Sequence, residues 1–92
     1  MTTFPFYADP GHGWLKVSKR QLEMVGLTPD SFTPYSYKRG NSFFLEEDDD
    51  ASLFIQSWVK SGRTKYGFKT YHGNKQSRIR NYERINSKGF NR

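Results

Sequence analysis

The run Ser42-Phe-Phe-Leu-Glu-Glu-Asp-Asp-Asp-Ala-Ser-Leu-Phe-Ile-Gln-Ser-Trp-Val-Lys60 decides the fold. Its first residues read as a strand, with Phe43 and Leu45 on one side and Phe44 on the other. Five consecutive carboxylates follow, Glu46 to Asp50. Beyond them Ala51, Phe54, Ile55, Trp58 and Val59 fall at i, i+3, i+4, i+7 and i+8, which is one face of an α-helix. An aspartate at a helix start accepts hydrogen bonds from the first backbone N–H groups, and acidic charge suits the positive end of the helix dipole. Asp49 or Asp50 is therefore the expected cap. The cap contributes about 1 kcal/mol. Burying Phe54, Ile55, Trp58 and Val59 contributes about 1.5 to 3 kcal/mol each before entropy is counted, so packing decides whether the helix exists.

Upstream, Tyr35 to Arg39 and Ser42 to Glu46 flank Gly40-Asn41, a pair that tolerates positive φ in a tight turn, and so read as a hairpin. Thr28 to Pro34 carries two prolines and is a loop. Ser18 and Gln21 have the spacing of a capping box, and Gly26 followed by Leu27 suits a helix end, so a brief helix with Leu22 and Val25 facing the core lies between. Trp14 to Val17 alternates as a short strand. Met1 to Gly13, with its Asp-Pro and Pro-Gly turn chemistry, reads as an arm tied down by Phe4, Phe6 and Tyr7. Downstream, Gly62 ends the central helix. Lys65 to His72 alternates Tyr66, Phe68 and Thr70 against Lys65, Gly67, Lys69 and Tyr71, a fourth strand. Ser77 to Ile85 reads either as a strand exposing Arg78, Arg80, Tyr82 and Arg84, or as a helical turn grouping Ile79, Tyr82 and Ile85.

The expected fold is thus α+β, in the order β, α, β, β, α, β. This is the split βαβ or ferredoxin-like plan, with a four-stranded antiparallel sheet and two short helices on one face. A β-rich, SH3-like meander with helical turns is the alternative. Residues 1–72 form the core with its N-terminal arm, and residues 73–92 a basic, partly disordered C-terminal extension.

A chain of 92 residues makes one domain with a modest core. Apolar residues are 34% of it but aromatics 17%, so large rings must supply much of the buried area. The absence of cysteine excludes disulfides, thiolate zinc sites and cysteine nucleophiles. No apolar run approaches the roughly 20 residues that span a bilayer, and the N-terminus lacks the basic and apolar regions of a signal peptide, so a cytoplasmic location is expected.

Net charge is +6 and unevenly placed. Residues 1–59 sum to −3, whereas residues 60–92 hold ten Lys/Arg against Glu83 alone. Such a basic end meets a polyanion or folds against the chain's own acids.

Enzyme motifs are lacking. The carboxylate run has no glycine turn and no alternate-position spacing, so it does not read as a calcium loop. His12 and His72 have no partner at ligand spacing. There is no G-x-S-x-G, no Walker spacing, and Gly11-His12-Gly13 precedes a strand rather than joining strand to helix. The expectation is a non-enzymatic protein without cofactor or metal.

The basic end carries the stronger signal. Thr64 to Tyr71 partly resembles the RNA-recognition-motif strand signature: Tyr66, Gly67, Phe68 and Tyr71 match, while Lys65, Lys69 and the strand's fourth place depart from it. Rings interleaved with cations suit a nucleic-acid surface. The expected contacts are Lys65, Lys69, Lys75, Arg78, Arg80 and Arg84, with Tyr66, Tyr71 and Tyr82 as stacking surfaces. The bland reading is that Tyr66 and Phe68 are core and the cations merely solvate an edge.

The strings Asp9-Pro-Gly-His-Gly-Trp-Leu-Lys-Val17, Tyr35-Ser-Tyr-Lys-Arg-Gly40, Leu45-Glu-Glu-Asp48 and Ser77-Arg-Ile-Arg-Asn-Tyr-Glu83 resemble a family of small uncharacterised proteins encoded by bacteriophages, prophages and plasmids. The resemblance implies a mobile-element accessory protein in a bacterial cytoplasm, partnered by nucleic acid or a host nucleoprotein complex. It also keeps open the alternative of a protein-binding inhibitor of a host-defence complex, anti-CRISPR-like in role. It carries no site residues with it.

Overall fold

The computed structural model describes residues 2–73, 79 and 82–85. In chain order the elements are β1 (Thr2–Ala8), β2 (Gly13–Ser18), α1 (Lys19–Met24), a 3-10 turn (Pro29–Ser31), β3 (Tyr37–Arg39), β4 (Ser42–Glu46), α2 (Asp50–Lys60), β5 (Tyr66–His72) and β6 (Glu83–Arg84). The strands form one six-stranded mixed sheet in the order β5-β1-β2-β4-β3-β6. Class α+β is therefore observed, but the sheet is neither four-stranded nor wholly antiparallel. The N-terminal segment is a strand, not an arm: β1 sits between β5 and β2, parallel to the first and antiparallel to the second.

Both helices lie on one side of the sheet, the front. Leu22 of α1 and Ala51, Phe54 and Trp58 of α2 share one buried cluster with Phe4, Leu15, Val17, Phe43 and Leu45. Phe4 meets Phe54 and Trp58 edge-on at 5.4 and 5.2 Å, so the first strand supplies a ring to the centre of the core. The apolar stripe of α2 is narrower than its sequence spacing suggests, for Ile55 is half-buried and Val59 is exposed.

Local signals resolve as the residues dictate. Ser18 Oγ accepts from Gln21 N at 3.1 Å and Gln21 Oε1 from Ser18 N at 2.8 Å, closing the capping box. Gly26 adopts φ 75° while Leu27 N donates to Leu22 O at 3.0 Å, and Gly62 ends α2 in the same way, with φ 96° and Arg63 N on Trp58 O. In the hairpin only Gly40 takes a positive φ, so Asn41 contributes no left-handed residue.

The helix cap departs from expectation. Asp49 occupies the N-cap position without a side-chain hydrogen bond. Asp50 points inward instead, 2% exposed, and its carboxylate accepts from Thr33 N at 3.0 Å, Thr33 Oγ1 at 2.8 Å and the buried Ser36 hydroxyl. Ser36 Oγ in turn accepts from Glu46 N at 2.9 Å, and Glu46 accepts from Asp48 N and Asp49 N at 3.1 and 3.2 Å. Two of the five carboxylates are thus consumed in fixing the turn into α2 and the loop before β3. That loop shortens β3 to three residues and leaves Tyr35 outside it.

The rear of the sheet is covered over part of its width rather than left open. Trp14, Tyr37 and Phe44 are buried there with Ile79, and Tyr7 and Tyr82 pack against them. Tyr82 N donates to Ile79 O at 3.0 Å, after which Glu83 and Arg84 pair with β3 and Ile85 joins the front core. The described residues here show a turn closing on Ile79 and then the short strand Glu83–Arg84, combining features of both expected readings. Of the described residues in the expected extension, Ile79 and Ile85 are buried and Tyr82 packs on the rear cluster, whereas Gly73 and Glu83 are exposed. Among the described residues no helix is long and apolar enough to cross a membrane.

Candidate nucleic-acid interface on the rear of the sheet

Paired positions in a sheet share a face, so the register assigns each β5 side chain. Tyr66, Phe68 and Thr70 align with Thr2, Phe4 and Phe6 and look to the front, whereas Lys69 and Tyr71 align with Pro5 and Tyr7 and look to the rear. Tyr71 is 44% exposed and stacks on Tyr7 with ring centroids 5.1 Å apart and planes at 16°. Lys69 Nζ lies 5.6 Å from the Tyr71 ring centre.

The stack continues across the sheet. Tyr7 lies 6.2 Å from Phe44, and Phe44 lies 5.2 Å from Tyr82. Four rings, Tyr71, Tyr7, Phe44 and Tyr82, therefore form a row with a cation at each end, since the Arg39 guanidinium lies 5.3 Å over the Tyr82 ring. Lys16, paired with Phe44 across β2 and β4, belongs to the same face. Of these rings only Tyr71 is exposed, Tyr7 and Tyr82 being half-buried and Phe44 buried, so the surface suited to a base and a phosphate is Tyr71 with Lys69 at the end of the row.

The expected contact residues divide accordingly. Lys69 and Tyr71 come together on the rear face. Lys65 lies exposed just before β5, and Tyr66 turns to the front, edge-on to Phe68 at 5.6 Å. Tyr82 joins the row but is half-buried. Arg84 is turned to the chain's own surfaces, its Nη1 donating to Pro34 O at 2.6 Å and its guanidinium lying 5.1 Å over Tyr37. Lys75, Arg78 and Arg80 lie outside the described residues.

Tyr7, Lys16 and Arg39 are members of the face that the sequence reading omits. Alternation in β2 already sets Lys16 opposite Leu15, and the hairpin sets Arg39 on the side of Tyr37. Tyr7 was hidden by the arm reading.

Arg84 also lines a cleft of about 420 Å³ together with Glu46, Asp48, Asp49 and His12, roofed by Trp14, Tyr35 and Tyr37. One cation of the basic end is therefore placed beside the acidic run, as self-neutralisation would require. His12 sits in a turn held by Asp9, whose Oδ1 accepts from Gly11 N and His12 N at 2.9 Å. Among the described residues no group of three His, Asp or Glu is placed to hold a metal ion. No family model, curated protein or solved structure matches the chain.

Proposed function

We propose that the protein is a non-enzymatic binding module, of the accessory kind carried by mobile elements, acting in a bacterial cytoplasm. Its rear sheet face contacts nucleic acid, bare or within a host nucleoprotein. The supporting observation is the ring row from Tyr71 to Tyr82 with Lys69 and Arg39 at its ends. The segment that leads into and through β5 carries charge of one sign: Lys60, Arg63, Lys65 and Lys69 precede Gly73 with no acid among residues 60–73. Phosphate contacts supply affinity, and exposed Tyr71 stacks on an unpaired base.

Fluorescence anisotropy with a labelled single-stranded oligonucleotide across a salt series tests this. Lys69→Ala lowers the slope of log K against log salt by about 0.7 to 0.9 for its one phosphate. Tyr71→Ala weakens binding by about 1 to 3 kcal/mol and leaves the slope in place. Unmeasurable binding at low salt ends the reading.

A second reading, a protein-binding inhibitor of a host-defence complex, is favoured by the outward placement of Glu47, Asp48 and Asp49, which are exposed while Glu46 and Asp50 serve the fold. A host partner retained after nuclease treatment, and lost when these three are changed to Asn or Gln, selects that reading over the first.

A further inference from the structure

We propose that the outer edge of β5 accepts one further strand, supplied by a partner polypeptide in which apolar and acidic side chains alternate. The inference shares Lys69 with the rear-face reading but otherwise uses the edge and the front of the same strand, so Phe68→Ser and N-methylation test it separately.

Among the described residues β5 pairs with β1 alone and is the outermost strand of the sheet. An edge strand presents a row of backbone donors and acceptors, and an added strand satisfies them. Seven residues long, β5 equals β1 as the longest strand described, whereas the strand at the opposite edge, β6, has two residues. Among the described residues the edge without a second neighbour is thus the one long enough to template a partner.

The two faces of β5 specify the partner's chemistry. On the front, Phe68 is 51% exposed and, with Thr70, borders a groove of about 400 Å³ whose floor is Phe6 and Leu15 and whose wall on α2 is Ala51 and Ile55. α2 covers Phe4 fully but stops short of Phe68, so the core's apolar surface runs out to the edge uncapped. A strand added beside β5 places every second side chain on this face, where an aliphatic residue packs on Phe68 and over the groove. On the rear, the same strand places its alternate side chains beside Lys69, where a carboxylate is favoured and a cation is not. A second copy of β5 does not meet this demand, since it brings another Lys69 and no acid. The complement is an extended segment that is apolar toward the helix and acidic toward the rear.

The probe is a labelled eight-residue peptide alternating valine and glutamate, with two controls: the valine and lysine counterpart, and the glutamate peptide N-methylated at alternate backbone nitrogens. Expected is binding of the first peptide, slower hydrogen exchange of the β5 amides in its presence, and at least about tenfold weaker binding of both controls. Phe68→Ser weakens binding about tenfold by removing the apolar contact, while Tyr71→Ala leaves it in place. Lys69→Glu reverses the preference toward the lysine peptide. That reversal is not produced by a merely damaged sheet.

Equal binding of the two charge forms, indifference to N-methylation, or binding of neither peptide overturns the proposal, the last leaving Lys65 and Lys69 as residues that keep a bare edge soluble. Slow exchange of the outward-facing β5 amides, those not bonded to β1, before any peptide is added also overturns it, with sedimentation distinguishing a second copy from another segment of the same chain. Protection of those backbone amides by an oligonucleotide that displaces the peptide assigns the edge to nucleic acid and overturns it likewise.

Discussion

The two ends of the sheet are finished in opposite ways. At the β3–β6 end, strands of three and two residues are sealed on both faces: Ile79 and Tyr82 cover the rear, Phe32 and Ile85 join the front core, and Lys38 pairs with Glu83 at 3.4 Å. Arg84 is engaged with Pro34 and Tyr37, and Asp50 ties the preceding loop to α2. At the β5 end the strand is more than twice as long as β3, yet from Phe68 to His72 every side chain is exposed, and among the described residues no carboxylate pairs with its lysines. Short strands with many polar ties hold one end. A long strand held by its ladder to β1 forms the other, with its side chains from Phe68 to His72 exposed. The lesson is that charge in this chain is segregated by place: Asp50 and Glu46, the acids nearest the core, are structural, whereas Lys65 and Lys69 face away from it.

Five substitutions break or sharpen this contrast. Phe4→Ala removes a 1% exposed ring packed on Phe54 and Trp58 and destabilises by about 3 to 5 kcal/mol in urea unfolding. A loss below about 1 kcal/mol at this site is the size of a typical point substitution and would mean the β1–β5 end rests on nothing central. Asp50→Ala leaves two donors of Thr33 and the Ser36 hydroxyl without their acceptor and destabilises by about 2 to 3 kcal/mol. Asp49→Ala, one residue earlier and exposed, stays within about 0.5 kcal/mol. Equal costs for the two aspartates would remove the distinction between structural and spare carboxylates. Arg84→Ala loses a carbonyl hydrogen bond and a ring contact and costs about 1 to 2 kcal/mol in the same assay. Lys69→Ala, its counterpart at the open end, stays within about 0.5 kcal/mol and shows its effect in binding instead.

Much of this was legible in the residues, and where it was not the reason is physical. The 3.6-residue spacing of Phe54 and Trp58 announces α2, and Ser18 with Gln21 announces the start of α1, because each signal is local. The alternation of β5 likewise separates Phe68 from Lys69 and Tyr71. β1 was illegible because Pro5 argues against an inner strand, having no N–H for a ladder. The structure reconciles the two: pairing with β2 covers Phe6 to Ala8, and Pro5 lies just outside it. The role of Asp50 was illegible because its partners, Thr33 and Ser36, reach it from a loop whose approach no local pattern encodes. Tyr82 and Arg84 read as offered to solvent for the same reason, since only the tertiary fold lays them on Phe44 and Tyr37.

The parallel ladder between β1 and β5 also governs the order in which the molecule forms. Thr2 pairs with Tyr66 and Ala8 with His72, so β1 must wait until the much later β5 is made before its outer side is satisfied. Closing so large a loop is slow compared with forming α1 or the Gly40 hairpin, whose partners are neighbours in the chain. Until that closure Phe4 has no sheet to hold it against Trp58, and a nascent chain halted before Tyr66 carries an inner strand exposed along one whole side.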